Sequence, residues 1–563
     1  MNHSLGQRAR DKAVRRLPGP LLAIGRHRAC LWKVIYLVVG AFLFCAAFER
    51  RFALPLVPIL DADSPNYLWP ALLKLNGQGF IHNAGLNFIY PGTLFLLLRG
   101  FSDFRAIVIV QHLLGIAAGA FFLLSWNRLH HLDIASCLAK PVHQAIGLFG
   151  ATIYLLSPTP ILFEKQIRPE AVCMFAQMLS FWLMFQFLFY RRAAANQRKT
   201  ALYGVAGVGS ALLLCSLKPS FTLTALLMIG VVFVLVVRTE WGWKRRSFFF
   251  AGAVLTALVF FVPEHLLARR DRLSKMFLPQ TLFSVHAEII RGQMGEDLTR
   301  GLPAPFPRPW LQTAYEELGT EIDRGRVQPP AQFSLLGFNP DYLMNGENAI
   351  FTRWLQELGD DDEFARFLNY YYWRALQHRP ASFAIKISRQ MSVFYAWQCP
   401  ALLEYRRIPL VAWHYLHSLD VIKDSENWEQ LRRIPAGVRL LAQTEELSAR
   451  ETFFNSGKRL FFYHTLLARG YLPILFVSTG LALWVILIRK LSSPRQWPSL
   501  LVLFLFLSNL GNVLAISAVH SMEVQRYSTV QFAAALFAEL WALRYLFDFA
   551  LRVLARRRLH QAG

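Results

Sequence analysis

Acidic residues are the scarce class in this chain. Its 563 residues carry 36 Asp and Glu against 60 Lys and Arg. Outside residues 264–469 only 12 acids remain, facing 35 bases, so each acid there stands out. The net charge of +24 does not indicate nucleic acid as a partner. Residues 264–469 hold 25 bases and 24 acids, and the excess lies in short connections between apolar runs. Cysteine is also sparse. Cys30, Cys45, Cys137, Cys173, Cys215 and Cys399 form neither a disulfide framework nor a zinc-binding spacing. Alternating strand-like runs are few. No internal repeat of the kind built into many transporters is visible.

Apolar side chains are abundant. Hydrophobic residues make up 54% of the chain, 46 of them Phe, and mean hydropathy is +0.32. A soluble protein of this length is less apolar. Runs long enough to cross a bilayer, about 20 helical residues, recur at both ends. The expected fold class is therefore an all-α polytopic membrane protein with about ten transmembrane helices. The expected spans are 30–48, 104–126, 143–160, 170–190, 201–217, 220–237, 248–263, 471–488, 497–518 and 528–547. Lys and Arg concentrate in alternate short loops, which marks those loops and both termini as cytoplasmic. Trp32, Trp126, Trp241, Trp243 and Trp497 fall near that interface. The first span reads as a retained signal anchor, because its basic leader is long and Phe44 before Cys45 does not fit a lipoprotein cleavage site.

Four parts follow from this pattern. Residues 1–29 are a basic cytoplasmic tail. Residues 30–263 form a transmembrane catalytic module with a first external loop, 49–103. Residues 264–469 form one large, mostly helical periplasmic domain. Residues 470–563 are C-terminal transmembrane helices ending in a basic cytoplasmic tail. The expected location is a bacterial inner membrane.

Ionisable groups at a membrane boundary lose hydration unless they are paired or wet, which makes them functional candidates. At the outer face these are Glu49, Asp61, Asp63, Asp103, Glu164, Glu170 and Glu523, with Arg168, Lys218 and Arg526. Asp61 and Asp63 directly follow the first span. They could activate a hydroxyl nucleophile or share a divalent cation through oxygen ligands. The competing assignment makes Asp63 or Ser64 the cap of a helix opening at Pro65. Asp61, nearer the exit of the span, is the first choice for the chemistry. Glu170, in Arg168-Pro169-Glu170, either faces the same cavity or simply favours its helix dipole. Lys218 and Arg526 suit a phosphate partner, as a point charge and a fork, or snorkel to the interface. His286 and Glu288 lie in an apolar stretch, 277–290, that could fold back over the cavity. Glu539, inside the tenth span, is expected to pair with a neighbouring helix.

These residues, in this order, resemble the GT-C superfamily of membrane glycosyltransferases, which includes protein O-mannosyltransferases and lipid A aminoarabinose transferases. The similar elements are Asp61 and Asp63 in the first external loop, Tyr90-Pro91-Gly92 before the second span, and Glu170 near the fourth. Glu523-Val524-Gln525-Arg526-Tyr527 resembles a Glu-x-Arg-Tyr element that often opens the last span of bacterial members. His82-Asn83-Ala84 departs from the family, which usually has a basic residue before the Pro element. The resemblance covers mainly residues 30–260. It implies an inverting transferase with a polyprenyl-phosphate sugar donor and a glycan, lipid or protein acceptor. Substrate contacts are expected at Tyr90, Lys218, His286, Glu288, Arg526 and Tyr527. Two rivals are an O-antigen ligase or polymerase, which would rely on Arg and His in the large loop, and a lipid or solute transporter, which would carry its polar groups at mid-membrane.

Overall fold

A bilayer offers no water to backbone amides, and a helix pairs them all within one segment. The chain takes that solution throughout. The computed structural model describes residues 19–83, 85–133, 136–192, 196–269, 271–327, 336–344, 349–404, 406–409, 412–450, 453–488, 496–519 and 524–561. In the first half the helices are α1 (Gly19–Phe52), α2 (Ser64–Leu75), α3 (Ile89–Phe101), α4 (Arg105–Leu132), α5 (Lys140–Leu156), α6 (Pro158–Lys165), α7 (Glu170–Arg192), α8 (Gln197–Leu217), α9 (Thr222–Val237) and α10 (Trp243–Ala268). Then come α11 (Arg272–Val285), α12 (Ala287–Arg300), α13 (Arg308–Val327), α14 (Ile350–Leu358), α15 (Asp361–His378) and α16 (Pro380–Phe394). The last group is α17 (Ala412–Lys423), α18 (Asn427–Arg432), α19 (Pro435–Ser448), α20 (Lys458–Ile488), α21 (Trp497–Val519), α22 (Val524–Thr529) and α23 (Phe532–Gln561). A two-stranded antiparallel ribbon, β1 (Arg407–Pro409) with β2 (Phe453–Asn455), is the sheet among the described residues.

Eight of the described helices are long and apolar enough to cross a membrane, and the pair α5–α6 makes a ninth if counted as one span. The protein is a multi-pass, helical membrane protein. The pair bends by 46° at Ser157. Pro158 opens α6 and drives Ser157 out of helical conformation, to φ −70 and ψ 129. The tenth expected span exists as α23, but Glu539, Arg544 and Asp548 keep it from being an apolar segment. It is instead a central helix. Phe532 to Trp541 are nearly all buried, against α4, α5, α7, α20 and α21.

The charges on α23 are answered mostly from the α4–α5 connection. Arg544 donates to Asp133 Oδ2 at 2.8 Å, and Asp548 Oδ1 accepts from Cys137 N at 2.6 Å and Ser136 Oγ at 3.1 Å. Glu539 differs from expectation. It is buried, and neither carboxyl oxygen has a hydrogen-bond partner among the described residues. Gly470 lies beside one of its oxygens, and among the described residues it forms no ion pair.

Residues 264–469 contain two separate packing arrangements. Helices α11 to α16 close around their own core of Phe283, Ile290, Trp354, Phe367 and Tyr371. Within this unit α15 buries Phe364, Phe367, Leu368 and Tyr371, and α16 buries Phe383. Asp360 caps the first, accepting from Asp362 N, and Pro380 opens the second. Residues 399–448 pack elsewhere. Tyr415, Ile422, Leu431 and Leu440 join a core with Ile59, Leu60, Leu68 and Leu72 of the first loop. Tyr415 Oη donates to Val57 O at 2.6 Å, and Leu60 N donates to Ser418 Oγ at 3.0 Å. Helix α20 begins at Lys458, well before the apolar run that marks the eighth span, because its charged first turns precede the apolar stretch.

Candidate active site

The first loop is fastened to the α6–α7 connection by main-chain pairing. Ile59 N donates to Lys165 O at 2.8 Å, and Ile167 N donates back to Ile59 O at 3.1 Å. Lys165 Nζ also donates to Pro55 O. This short parallel bridge sets Asp61 beside Arg168. The chain then turns into α2. Asp61 Oδ1 accepts from Asp63 N at 3.1 Å and Ser64 Oγ at 3.3 Å, while Asp61 N donates to Ser64 Oγ at 3.0 Å. Asp63 occupies the cap position of α2, but its carboxylate makes no capping bond. The expected assignment is therefore exchanged: Asp61 holds the turn, and the Asp63 side chain is left for other partners.

Three acids and three bases alternate at this point. Arg168 pairs with Asp61 and lies 3.9 Å from Asp63. Arg526 pairs with Asp63, and its Nε donates to Glu170 Oε1 at 3.1 Å. Lys218 Nζ donates to the same Glu170 oxygen at 2.8 Å and sits 4.4 Å from the centre of the Tyr527 ring. Glu170 is fully buried, and its Oε2 has no hydrogen-bond partner among the described residues. The helix-dipole explanation is thus incomplete for Glu170, and snorkelling does not describe Lys218 or Arg526. All three are tied into one network, drawn from the first loop, the start of α7, the α8–α9 turn and α22.

Two tyrosines pack at the same end. The Tyr67 and Tyr90 rings meet edge to face at 5.3 Å. Tyr90 Oη donates to Gln111 Oε1 at 3.0 Å, and Gln111 Nε2 donates to Glu164 O and Gln166 O at 2.9 and 2.8 Å. Burial holds both phenols well above their ordinary range, with the negative charge of Glu170 adding to it, so they are neutral donors.

Burial raises the Asp61 carboxyl, opposed by Arg168 and Arg526 and reinforced by Asp63 and Glu170. Asp61 is the more enclosed acid, with its side chain 14% exposed against 39% for Asp63. A divalent cation on this pair meets two obstacles. Guanidinium groups already occupy the positive positions beside both carboxylates. Among the described residues no three His, Cys, Asp or Glu side chains converge as a metal site. The donor set does not fit a resident metal.

The network unites Asp61, Asp63, Glu170, Lys218, Arg526 and Tyr527, with Tyr90 one side chain away through Tyr67. It does not include His286 or Glu288. His286 stacks on Phe383 with ring centres 4.5 Å apart, inside the α11–α16 unit, and Glu288 pairs with Arg326 of α13. The apolar stretch that carries them is buried in that unit's own core instead of folding over the acids. Three other acids drop out. Glu49 is exposed, and Asp103 pairs with Arg105 at the surface. Glu164 is bound by Arg51 through bonds of 2.7 and 2.8 Å and by His112 Nδ1 at 2.8 Å. Glu523 lies outside the described residues. Sequence reasoning passed over Tyr67 and the position-setting Ser418. Tyr67 falls on the same face of α2 as Ser64, which was a usable signal, whereas Ser418 gave none.

No family model matches the chain, and no curated protein matches it in sequence. Among solved structures the chain is similar to ArnT from Cupriavidus metallidurans bound to undecaprenyl phosphate, at 11% identity and a TM-score of 0.30, over 91% of this chain and 77% of that one.

Proposed function

We propose that this chain is an inverting glycosyltransferase of GT-C type, moving a sugar from a polyprenyl-phosphate donor to an acceptor at the outer face of the inner membrane. One observation carries the proposal. A partly exposed carboxylate, Asp63, shares a single network with two buried-side cations, Lys218 and Arg526, at the end of a membrane bundle. Such a site offers both things the transfer needs: a proton acceptor and charge for a departing phosphate.

The step is a single displacement. The acceptor hydroxyl oxygen attacks the anomeric carbon from the face opposite the phosphate. The bond from that carbon to the phosphate oxygen breaks, and its electron pair leaves with the lipid phosphate. Asp63 takes the hydroxyl proton. Asp63 is preferred to Asp61 as the base, because both Asp61 oxygens are engaged by the turn and by Arg168. Arg526 is shared between Asp63 and Glu170. A donor phosphate competes for its fork, and each guanidinium bond moved to the phosphate leaves Asp63 freer to accept a proton. Glu170 keeps Lys218 and Arg526 side by side, acting as a positioning residue.

Donor binding tests the phosphate half of this account. Arg526→Ala is expected to weaken binding of a polyprenyl-phosphate sugar more than Arg526→Lys does, and Lys218→Ala to act in the same direction. Charge-assisted bonds of this kind contribute about 1.5–3 kcal/mol each, roughly 10- to 100-fold in affinity. Parent-like affinity in both alanine variants would contradict a phosphate-holding role for these cations.

A further inference from the structure

A cavity lies away from the acid network. It has a volume of about 220 Å³ and opens between α12, α16 and the residues around Phe338. That is below the roughly 300–1,000 Å³ usual for sites that enclose drug-sized ligands, so it suits a head group and not a whole lipid. His286, Lys386 and Arg389 line it, with Ile289, Phe338 and Ile385 as apolar wall.

His286 is the unusual member. It is 2% exposed. Its Nδ1 lies 2.9 Å from Leu282 O, an acceptor, so Nδ1 carries the proton and donates. Nε2 is then a bare lone pair, buried and without a partner among the described residues. Burial, helped by the charge of Lys386, pulls the ring down to about 3, which keeps it neutral. A buried acceptor left unmatched costs free energy unless a donor arrives.

The cations supply the other half. Lys386 Nζ donates one bond, to Ser517 O at 3.0 Å near the end of α21, leaving two N–H groups. Among the described residues neither Lys386 nor Arg389 forms an ion pair, whereas Glu288, the acid of this cavity, is already paired with Arg326, which also holds Asp323. Burial pulls Lys386 down to about 7, so Arg389 supplies the standing positive charge and Lys386 is a donor that an arriving anion would keep charged, beside one neutral hydrogen-bond acceptor and one greasy wall.

We propose that this cavity binds a phosphate group carried beside a hydroxyl, the chemistry shared by a glycerophospholipid head group and a soluble glycerol or sugar phosphate. Lys386 and Arg389 take the phosphate oxygens. The hydroxyl donates to His286 Nε2, and Ile289, Phe338 and Ile385 face the carbon skeleton. The contact between Lys386 and the end of α21 puts the cavity where the α11–α16 unit meets a membrane helix, within reach of a head group. The proposal does not depend on the transferase assignment.

The test uses the full-length protein in phosphatidylcholine nanodiscs, whose lipid offers no hydroxyl. One arm titrates labelled glycerol 3-phosphate by equilibrium dialysis, with inorganic phosphate as competitor. The other adds a minor fraction of phosphatidylglycerol and counts retained lipid by native mass spectrometry. Binding in either arm is expected, and the arm that responds identifies the source. Lys386→Met and Arg389→Gln should each weaken it about tenfold or more. His286→Phe keeps the stack on Phe383 and should erase the preference for glycerol 3-phosphate over phosphate. Arg389 is exposed, so its variant remains informative if the Lys386 variant unfolds. Absence of binding in both arms, or binding unchanged by Arg389→Gln and His286→Phe, overturns the proposal.

Discussion

Asp61 and Asp63 are separated by one residue yet have different work, and the difference follows from what each oxygen touches. An Asp two residues before a helix cap can bond the backbone of the turn, and Asp61 does so. Asp63, in the cap position, is helical in conformation and sends its carboxylate to Arg526. Replacement by Asn should separate the roles in a thermal melt. Asp61→Asn keeps an oxygen for the turn bonds but strips the enclosed Arg168 of its charged partner, and it should destabilise by about 1–3 kcal/mol. Asp63→Asn breaks no capping bond and gives up one pair with Arg526 from a partly exposed carboxylate, so it should cost less, about 0–1 kcal/mol, the scale of an exposed ion pair. The sequence pointed to the pair through scarcity and position. It could not rank the two, because the rank depends on Arg168 and Arg526, which only folding brings there.

At the scale of elements, the fasteners of the first loop include the bridge from Ile59 to the α6–α7 connection, the Ser418 bond at Leu60, and a latch at His82. His82 Nε2 lies 2.9 Å from Glu264 at the end of α10, and Nδ1 lies 3.0 Å from Asp271. Burial alone would lower this imidazole, but its bonds to the two carboxylates outweigh burial and raise it. A His with a raised folded value stabilises fully below its ordinary value near 6.5. That contribution is lost as pH rises through the raised value. The melting difference between parent and His82→Gln should therefore be largest in acid and shrink as pH rises past that range. A difference independent of pH contradicts a charged latch. None of these fasteners was legible. Each joins residues far apart in sequence through groups, such as a main-chain carbonyl or a serine, that carry no pattern. The helices themselves were legible, because length and hydropathy are local properties.

At the scale of the whole molecule, the ten expected spans all correspond to helices, and the tenth shows where apolarity misleads. Helix α23 carries Glu539, Arg544 and Asp548 into the bundle, so its central place comes from packing of its Ala- and Phe-rich turns and not from hydropathy. Burial of Glu539 without a hydrogen-bond partner among the described residues is expensive. The four-part division read from the sequence treated 264–469 as one body, and the packing inside it is divided between the α11–α16 core and the first-loop core. Polar composition alone carries no information on that division. Orientation rests on the alternation of basic loops. Reporters fused after Arg192, Arg246, Lys490 and Arg558 should read cytoplasm, and one near Gly359 should read periplasm. A cytoplasmic reading at Gly359 would place the acid network on the wrong side for a lipid-linked donor.

The central claim joins fold to chemistry through one carboxylate. Purified protein in lipid should transfer sugar from a polyprenyl-phosphate donor to an acceptor, with inversion at the anomeric carbon. Asp63→Asn should lower turnover by about 100- to 10,000-fold, the usual contribution of a general base, while the protein stays folded and donor binding is kept or tightened, because Arg526 is released from Asp63. Asp63→Asn turning over at the parent rate would contradict the account.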